Sequence, residues 1–232
     1  MSQSSKWIFR LIFLATLLAT VFVALNLSAS YHTAAIPSEP FLLIDPGHGG
    51  EDGGTSSADG TLEKTINLSI ALDMRDMLTI FGIETQMTRK SDISIHDSGC
   101  VTARQKKVSD MQNRLKMFDS ASMTVSIHQN HFSVAKYDGA QVFYSASNPL
   151  SITAATAVRE KIVSLIQPDN KRELKKATDS IFLLYKTTKP AILVECGFLS
   201  NPTESSKLQQ ETYQQKMAFA ITAGVLDVYR KE

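Results

Sequence analysis

Continuous apolar runs alternate along this chain with segments whose apolar residues recur every three or four positions. Phe41-Leu42-Leu43-Ile44 is unbroken and apolar, the pattern of a strand buried on both faces. A glycine-rich loop follows, from Asp45-Pro46-Gly47-His48-Gly49-Gly50 to Gly60. From Glu63 to Phe81, Ile66, Ile70, Met74, Met77, Leu78 and Phe81 keep helical spacing, and Gly82 stops the helix. Ile83 to Arg89 reads as a second strand and Lys90 to Cys100 as a polar loop. A helix is expected over Val101 to Phe118, with Val108, Met111, Leu115 and Phe118 on one face. Strands are expected at Met123–His128, Ala140–Tyr144, Ile181–Tyr185 and Ala191–Glu195, with a helix over Ile152–Ile166. Asn201, Pro202 and Glu204 read as the cap and first turn of another helix. Thr212 to Gln215 reads as a capping box, opening a last helix that turns Met217, Ile221, Gly224, Val225 and Val228 inward. This alternation predicts an α/β fold: a three-layer α/β/α sandwich around a mostly parallel, twisted sheet of about six strands, with room for one antiparallel strand.

The first thirty residues follow another pattern. Lys6 and Arg10 precede an apolar run from Leu11 to Leu27, interrupted by Thr16, Thr20 and Asn26, and then by Ser28-Ala29-Ser30. A run apolar on all faces at the very start of the chain argues against the alternative, a buried core helix. Residues 1–30 therefore read as a signal peptide or an N-terminal membrane anchor, the latter spanning through residues 7–27 if uncleaved, with its basic flank inside. Residues 31–40, with Pro37 and Pro40, read as a linker, and residues 41–232 as the folded domain of an exported protein.

The remaining roughly 200 residues suit one domain with a sizeable core. A hydrophobic content of 43% excludes disorder as the overall state. The formal net charge of +1 gives no argument for nucleic acid as a partner. Cys100 and Cys196 cannot build a disulfide scaffold and read as free thiols.

The candidate chemistry lies at the strand ends. His48 follows the first strand, His128 ends the third, Glu195 ends the last, and Glu63 starts the helix after the glycine loop. In open α/β sheets, sites form beyond the carboxyl ends of the strands. Two imidazoles and a carboxylate can hold zinc with a fourth position open, while a second carboxylate handles protons. A single histidine at a strand end is ordinarily a satisfied polar group, so spacing alone leaves the metal site open.

The blocks Leu43–Gly50 (LIDPGHGG), Val125–Asn130 (VSIHQN) and Val194–Pro202 (VECGFLSNP) resemble the signature blocks of the zinc-dependent N-acetylmuramoyl-L-alanine amidases. Glu63 stands where that family has its glutamate ligand. The resemblance runs from Phe41 to Lys231 and is strongest to the germination-specific, spore-cortex branch, including the insert from Ser91 to Arg114 and Lys189-Pro190. It implies one zinc ion on His48, Glu63 and His128, with Glu195 catalytic. The implied reaction is hydrolysis of the amide between N-acetylmuramic acid and L-alanine in peptidoglycan, whose stem peptide and glycan are the partners. In the spore-cortex branch this step prepares muramic acid for conversion to muramic-δ-lactam, needed for germination. Some clostridial relatives require a lipoprotein activator; the insert from Ser91 to Arg114 is the expected contact. The location implied is the forespore intermembrane space. A wall-binding module without turnover, and a zinc peptidase acting within the stem peptide, are the alternatives.

Asp45 is a candidate partner orienting a ligand histidine, or a cap for the glycine loop. Asn130 is a candidate for fixing the loop around His128 or touching substrate. His131 stands where the family usually has a small residue, and it, His96 and His32 read as surface residues. Asp119 replaces an asparagine common in related sequences. Arg104, Lys106, Lys107, Arg114 and the Lys171–Lys176 cluster read as solvated charge or as contacts to anionic wall.

Overall fold

In the computed structural model the described residues are 7, 15–20 and 40–229. The expected export segment and linker fall largely outside them; residues 7 and 15–20 are helical. Among the described residues, no helix is long and apolar enough to cross a membrane. The chain divides into a unit over residues 1–39 and a second over residues 40–232.

The second unit is an α/β sandwich. Its elements are β1 (Leu42–Pro46), α1 (Glu63–Ile80), β2 (Thr85–Met87), α2 (Ala103–Ser120), β3 (Met123–Asn130), β4 (Gln141–Tyr144), α3 (Pro149–Leu165), β5 (Lys175–Lys176), α4 (Phe182–Lys186), β6 (Ala191–Phe198), α5 (Pro202–Leu208) and α6 (Glu211–Tyr229). The six strands lie in the order β2-β1-β3-β6-β4-β5. β2, β1, β3 and β6 are parallel, whereas β4 is antiparallel to β6 and carries β5 parallel to itself. Two strands thus run against the main direction, where the sequence pattern allowed for one.

Alternation along the strands sorts the core into two layers. Leu42, Ile44, Val125, Ile127, Ile192 and Val194 face a cluster containing Ile66, Ile70 and Met74 of α1, Val158 of α3, and Met217 and Ile221 of α6. Leu43 and Leu193 face the other way, onto Phe118 of α2 and Leu183 of α4. Gly224 lets α6 lie close against α3, since a Cβ there would stand 2.5 Å from the Val158 Cα.

Three local expectations are corrected. Ile181–Tyr185 is not a strand: Ile181 caps the short helix α4. Such a short apolar run has no period that separates strand from helix. The capping box expected at Thr212 is absent, because α6 starts one residue earlier and the amide of Gln214 bonds to the carbonyl of Gln210 (3.0 Å). A capping box instead opens α2, between Thr102 and Gln105. On α2 the expected apolar face keeps Met111, Leu115 and Phe118, which pack in one cluster, but Val108 is exposed and Ser109, Asp110 and Arg114 are buried as well. Asn201 does cap α5, accepting from the amides of Thr203 and Glu204.

Candidate metal centre

The site begins where β1 gives way to the glycine loop. The Gly47 amide donates to the Ile127 carbonyl (3.0 Å), which keeps the loop against β3. A side chain at Gly47 is excluded because its Cβ would lie 2.2 Å from ring atoms of His128. His48 then adopts φ 63°, the left-handed region, at a strain of order 1–3 kcal/mol.

Two buried guanidinium groups hold this turn. Arg89 donates to the carbonyls of Pro46 and Gly47 (3.0 Å each). Arg114 donates to the carbonyls of Pro46 (3.1 Å) and His48 (2.7 Å). Arg114 is 2% exposed and pairs with Asp45 and with Asp110 (2.7 Å to Asp110). Burial alone would raise the Asp45 carboxyl, but the Arg114 charge and hydrogen bonds from Ser126 and Thr88 hold it below its ordinary range. Arg114 is therefore neither a solvated charge nor a wall contact. Neither His48 nor His128 is among the hydrogen-bond partners of Asp45, which acts on the glycine loop through Arg114.

The residue that grips a histidine ring is Asp52. Gly49 and Asp52 exchange backbone hydrogen bonds (2.9 and 3.2 Å), and this tight turn returns the Asp52 carboxylate beneath His48. His48 Nδ1 bonds to Asp52 Oδ2 (2.9 Å), and the Lys107 ammonium from α2 meets the same oxygen. The sequence signal was an aspartate four residues beyond the histidine in a glycine turn. Lys106 pairs with Glu51 (2.6 Å), so both basic residues serve the loop.

With Nδ1 engaged, His48 turns Nε2 toward Glu63 Oε1 (3.3 Å). His128 presents Nδ1 to the same oxygen (2.9 Å). Glu63, 3% exposed, sits in the first turn of α1, where the helix dipole favours a carboxylate. The amides of Thr55 (2.9 Å) and Gln129 (3.1 Å) and the Asn67 side chain (3.2 Å) fix both its oxygens. Burial opposes its charge, yet the two histidines hold it far below the usual carboxylate range. His48 is pushed up to about 9: burial lowers it, but hydrogen bonds to Asp52 and Glu63 prevail.

The donor atoms of His48, Glu63 and His128 lie within 4.8 Å of one another. Tetrahedral zinc with bonds near 2.0–2.1 Å separates its ligand atoms by roughly 3.4 Å, so the set fits zinc in chemistry and spacing.

Glu195 is the residue register delivers. His128 and Glu195 are direct partners across the parallel β3–β6 pair, so their side chains leave the same face. Its Oε2 atom is covered and accepts no hydrogen bond. Desolvation, with the Glu63 charge adding to it and the histidines opposing, raises its carboxyl to about 7. A cavity of about 300 Å³ opens here, with His48, His128 and Glu195 on one wall and Met111, Ile181 and Phe182 on another.

The other candidates stand apart. Asn130 Oδ1 accepts from the His131 amide (2.8 Å), and its carbonyl accepts from Leu199, fixing the chain just beyond β3. His131 is exposed and His96 half-buried against Ser94. Asp119 accepts from the Thr187 hydroxyl (2.8 Å). Lys175 and Lys176 form the exposed edge strand β5, where lysines discourage edge pairing. Cys100 and Cys196 are both free thiols, and burial pushes that of Cys196 up.

The family described as N-acetylmuramoyl-L-alanine amidase matches residues 42–227. The germination-specific N-acetylmuramoyl-L-alanine amidase of Bacillus subtilis is 32% identical over 100% of this chain and 98% of its own length. Among solved structures, the CwlD amidase of Clostridioides difficile, in complex with the GerS lipoprotein, superposes with a TM-score of 0.79 at 37% identity, covering 84% of this chain and 100% of that one. An N-acetylmuramoyl-L-alanine amidase from Clostridium difficile 630 superposes at 0.71 with 30% identity, covering 84% and 100%. A match over most of the catalytic unit, on a fold whose strand ends bring two histidines and two glutamates together, makes this chain a member of the N-acetylmuramoyl-L-alanine amidase family and a peptidoglycan amidase.

Proposed function

We propose that His48, Glu63 and His128 hold one zinc ion and that Glu195 is the proton-transfer residue for cleavage between the lactyl carboxyl of N-acetylmuramic acid and L-alanine. The observation that carries this reading is the unpartnered Oε2 of Glu195 beside three convergent donors. When bound, zinc supplies Lewis acidity, polarising a carbonyl and bringing the pKa of water down to about 7. The protein supplies the rest. Asp52 orients the His48 ring so that Nε2 points inward. Glu195, uncommitted to any hydrogen bond, takes a proton from the attacking water. It then gives that proton to the L-alanine nitrogen as the C–N bond breaks, because an amide leaves poorly unless protonated. A carboxyl raised to about 7 suits both transfers.

We also assign the chain an extracytoplasmic place, reached through residues 1–30 as signal or anchor, since peptidoglycan lies outside the membrane. Its similarity to the germination-specific amidase supports work on spore cortex, leading to muramic-δ-lactam. The relative solved with a lipoprotein supports a lipoprotein partner for this chain as well.

The deciding experiment uses zinc-loaded protein and Glu195→Gln on purified wall, with mass spectrometry of the products. Intact stem peptide beginning with L-alanine is expected from the wild type and none from Glu195→Gln. Trimmed peptides would point to a peptidase instead, and full activity in Glu195→Gln would remove the glutamate's role.

A further inference from the structure

The cavity beside Glu195 has two unlike walls. One carries the polar centre: His48, His128 and Glu195. The other is apolar, from Met111 of α2 and from Ile181 and Phe182 at the start of α4. These three side chains are only half-buried, and more deeply buried Leu184 and Leu193 back them. They thus keep apolar surface that a substrate can cover. The other charged groups that line the cavity are already engaged: Lys107 by Asp52, Asp45 by Arg114, and Asp110 by Arg114, Ser94 and the Ile95 amide.

The bond to be cut carries a methyl on each side, one on the lactyl group and one on L-alanine. A residue placed against this wall must match it in polarity, because a charged side chain there would lose water with no partner in return. Its size matters as well, because the cavity of about 300 Å³ must take the reacting amide and its backbone along with that side chain.

We propose that Met111, Ile181 and Phe182 form a specificity wall that receives the L-alanine methyl and limits the first stem-peptide residue to a small apolar one. This rests on the assignment of His48, Glu63, His128 and Glu195 as the reacting centre. Hydrophobic pockets distinguish neighbouring side chains by about 10- to 200-fold per methylene, which sets the scale of the effect.

The test uses the zinc-loaded full chain and synthetic N-acetylmuramoyl peptides that differ only in the first residue: L-alanine, L-valine, L-leucine and L-glutamate. The readout is the ratio of kcat/KM for each peptide to that for L-alanine, which cancels any loss of folded enzyme. The wild type should prefer L-alanine by at least tenfold over L-valine and more over L-leucine and L-glutamate. Met111→Ala and Ile181→Ala should each narrow the L-leucine to L-alanine gap by about tenfold. Phe182→Leu serves as a milder change, and Phe219→Ala, on an exposed surface of α6, as a control that leaves the ratios alone. Unchanged ratios in active Met111→Ala, Ile181→Ala and Phe182→Leu proteins would overturn the wall. Equal wild-type rates on all four peptides would do the same. No release from any peptide by the wild type would instead strike the underlying assignment, and the wall with it.

Discussion

Asp52 Oδ2 lies 2.9 Å from His48 Nδ1, on the side of the ring away from Glu63. Outer carboxylates of this kind fix the tautomer and direction of a ligand histidine, and losing one typically lowers metal affinity about 10–100-fold. Asp52→Ala should fall in that range, and Asp52→Asn, which keeps an acceptor oxygen, should lose less. Competition with a chromophoric chelator measures this without reference to activity. Zinc affinity unchanged in Asp52→Ala would show that the turn alone orients His48.

Gly47 supports the other histidine of the proposed zinc site. A methyl group there would overlap the His128 ring, with Nε2 and Cε1 both 2.2 Å from the new Cβ. The ring must then move, because the backbone on its other side is held by β3. Gly47→Ala should therefore retain the fold, read by far-UV circular dichroism, and lose at least tenfold in zinc affinity. Native affinity in Gly47→Ala would mean that the ring has a second seat.

Much of this site could be read along the chain because its residues sit at the ends of elements with strong local signals. β1 and the first half of β6 are continuous apolar runs, and His48 and Glu195 stand at or just past the point where those runs break off; His128 closes the more mixed run of β3, whose pairing continues two residues further, to Asn130. Glu63 stood out as the start of a periodic helix. What stayed hidden depends on contacts between distant segments. Arg114 is polar in a polar stretch, and nothing local says that it is buried against Asp45. β5 is only Lys175–Lys176, held by pairing with Phe143 and Tyr144 rather than by its own propensity. α4 shares its composition with a short strand, and only packing onto Leu193 and Phe118 selects the helix. The wall across from Glu195 was invisible for the same reason: Met111 and Ile181 meet only in the folded chain.

Arg114 should be a sensitive point for stability. Its removal leaves Asp45, 0% exposed, with hydroxyl partners alone, and leaves Asp110 without its guanidinium. Breaking a buried ion pair on one side typically costs about 3–5 kcal/mol. Arg114→Met should lose that much in urea unfolding of the metal-free protein. Adding Asp45→Asn should recover part of it, because no uncompensated charge then stays at that position. A loss below about 1 kcal/mol, the range of exposed pairs, would mean that water reaches the cluster.

The same pair gives stability a defined dependence on acid. The Asp45 carboxyl titrates below its ordinary value of 3.8 in the folded chain: desolvation would raise it, but the Arg114 charge together with the Ser126 and Thr88 hydrogen bonds and the His128 charge outweighs that. An unfolded aspartate titrates near about 3.9. Below that pH the unfolded chain takes up the proton first, so the stabilisation from charged Asp45 is complete above about pH 4–5 and shrinks as pH falls toward the folded-state value. Urea unfolding of metal-free wild type and Asp45→Asn at several pH values, with chelator present to exclude zinc, isolates this group. The wild type should be the more stable protein at pH 6, and its advantage should contract steadily below pH 4. Parallel stability curves for the two proteins across that window would show that Asp45 is not charged in the native state and that Arg114 is held by Asp110 alone.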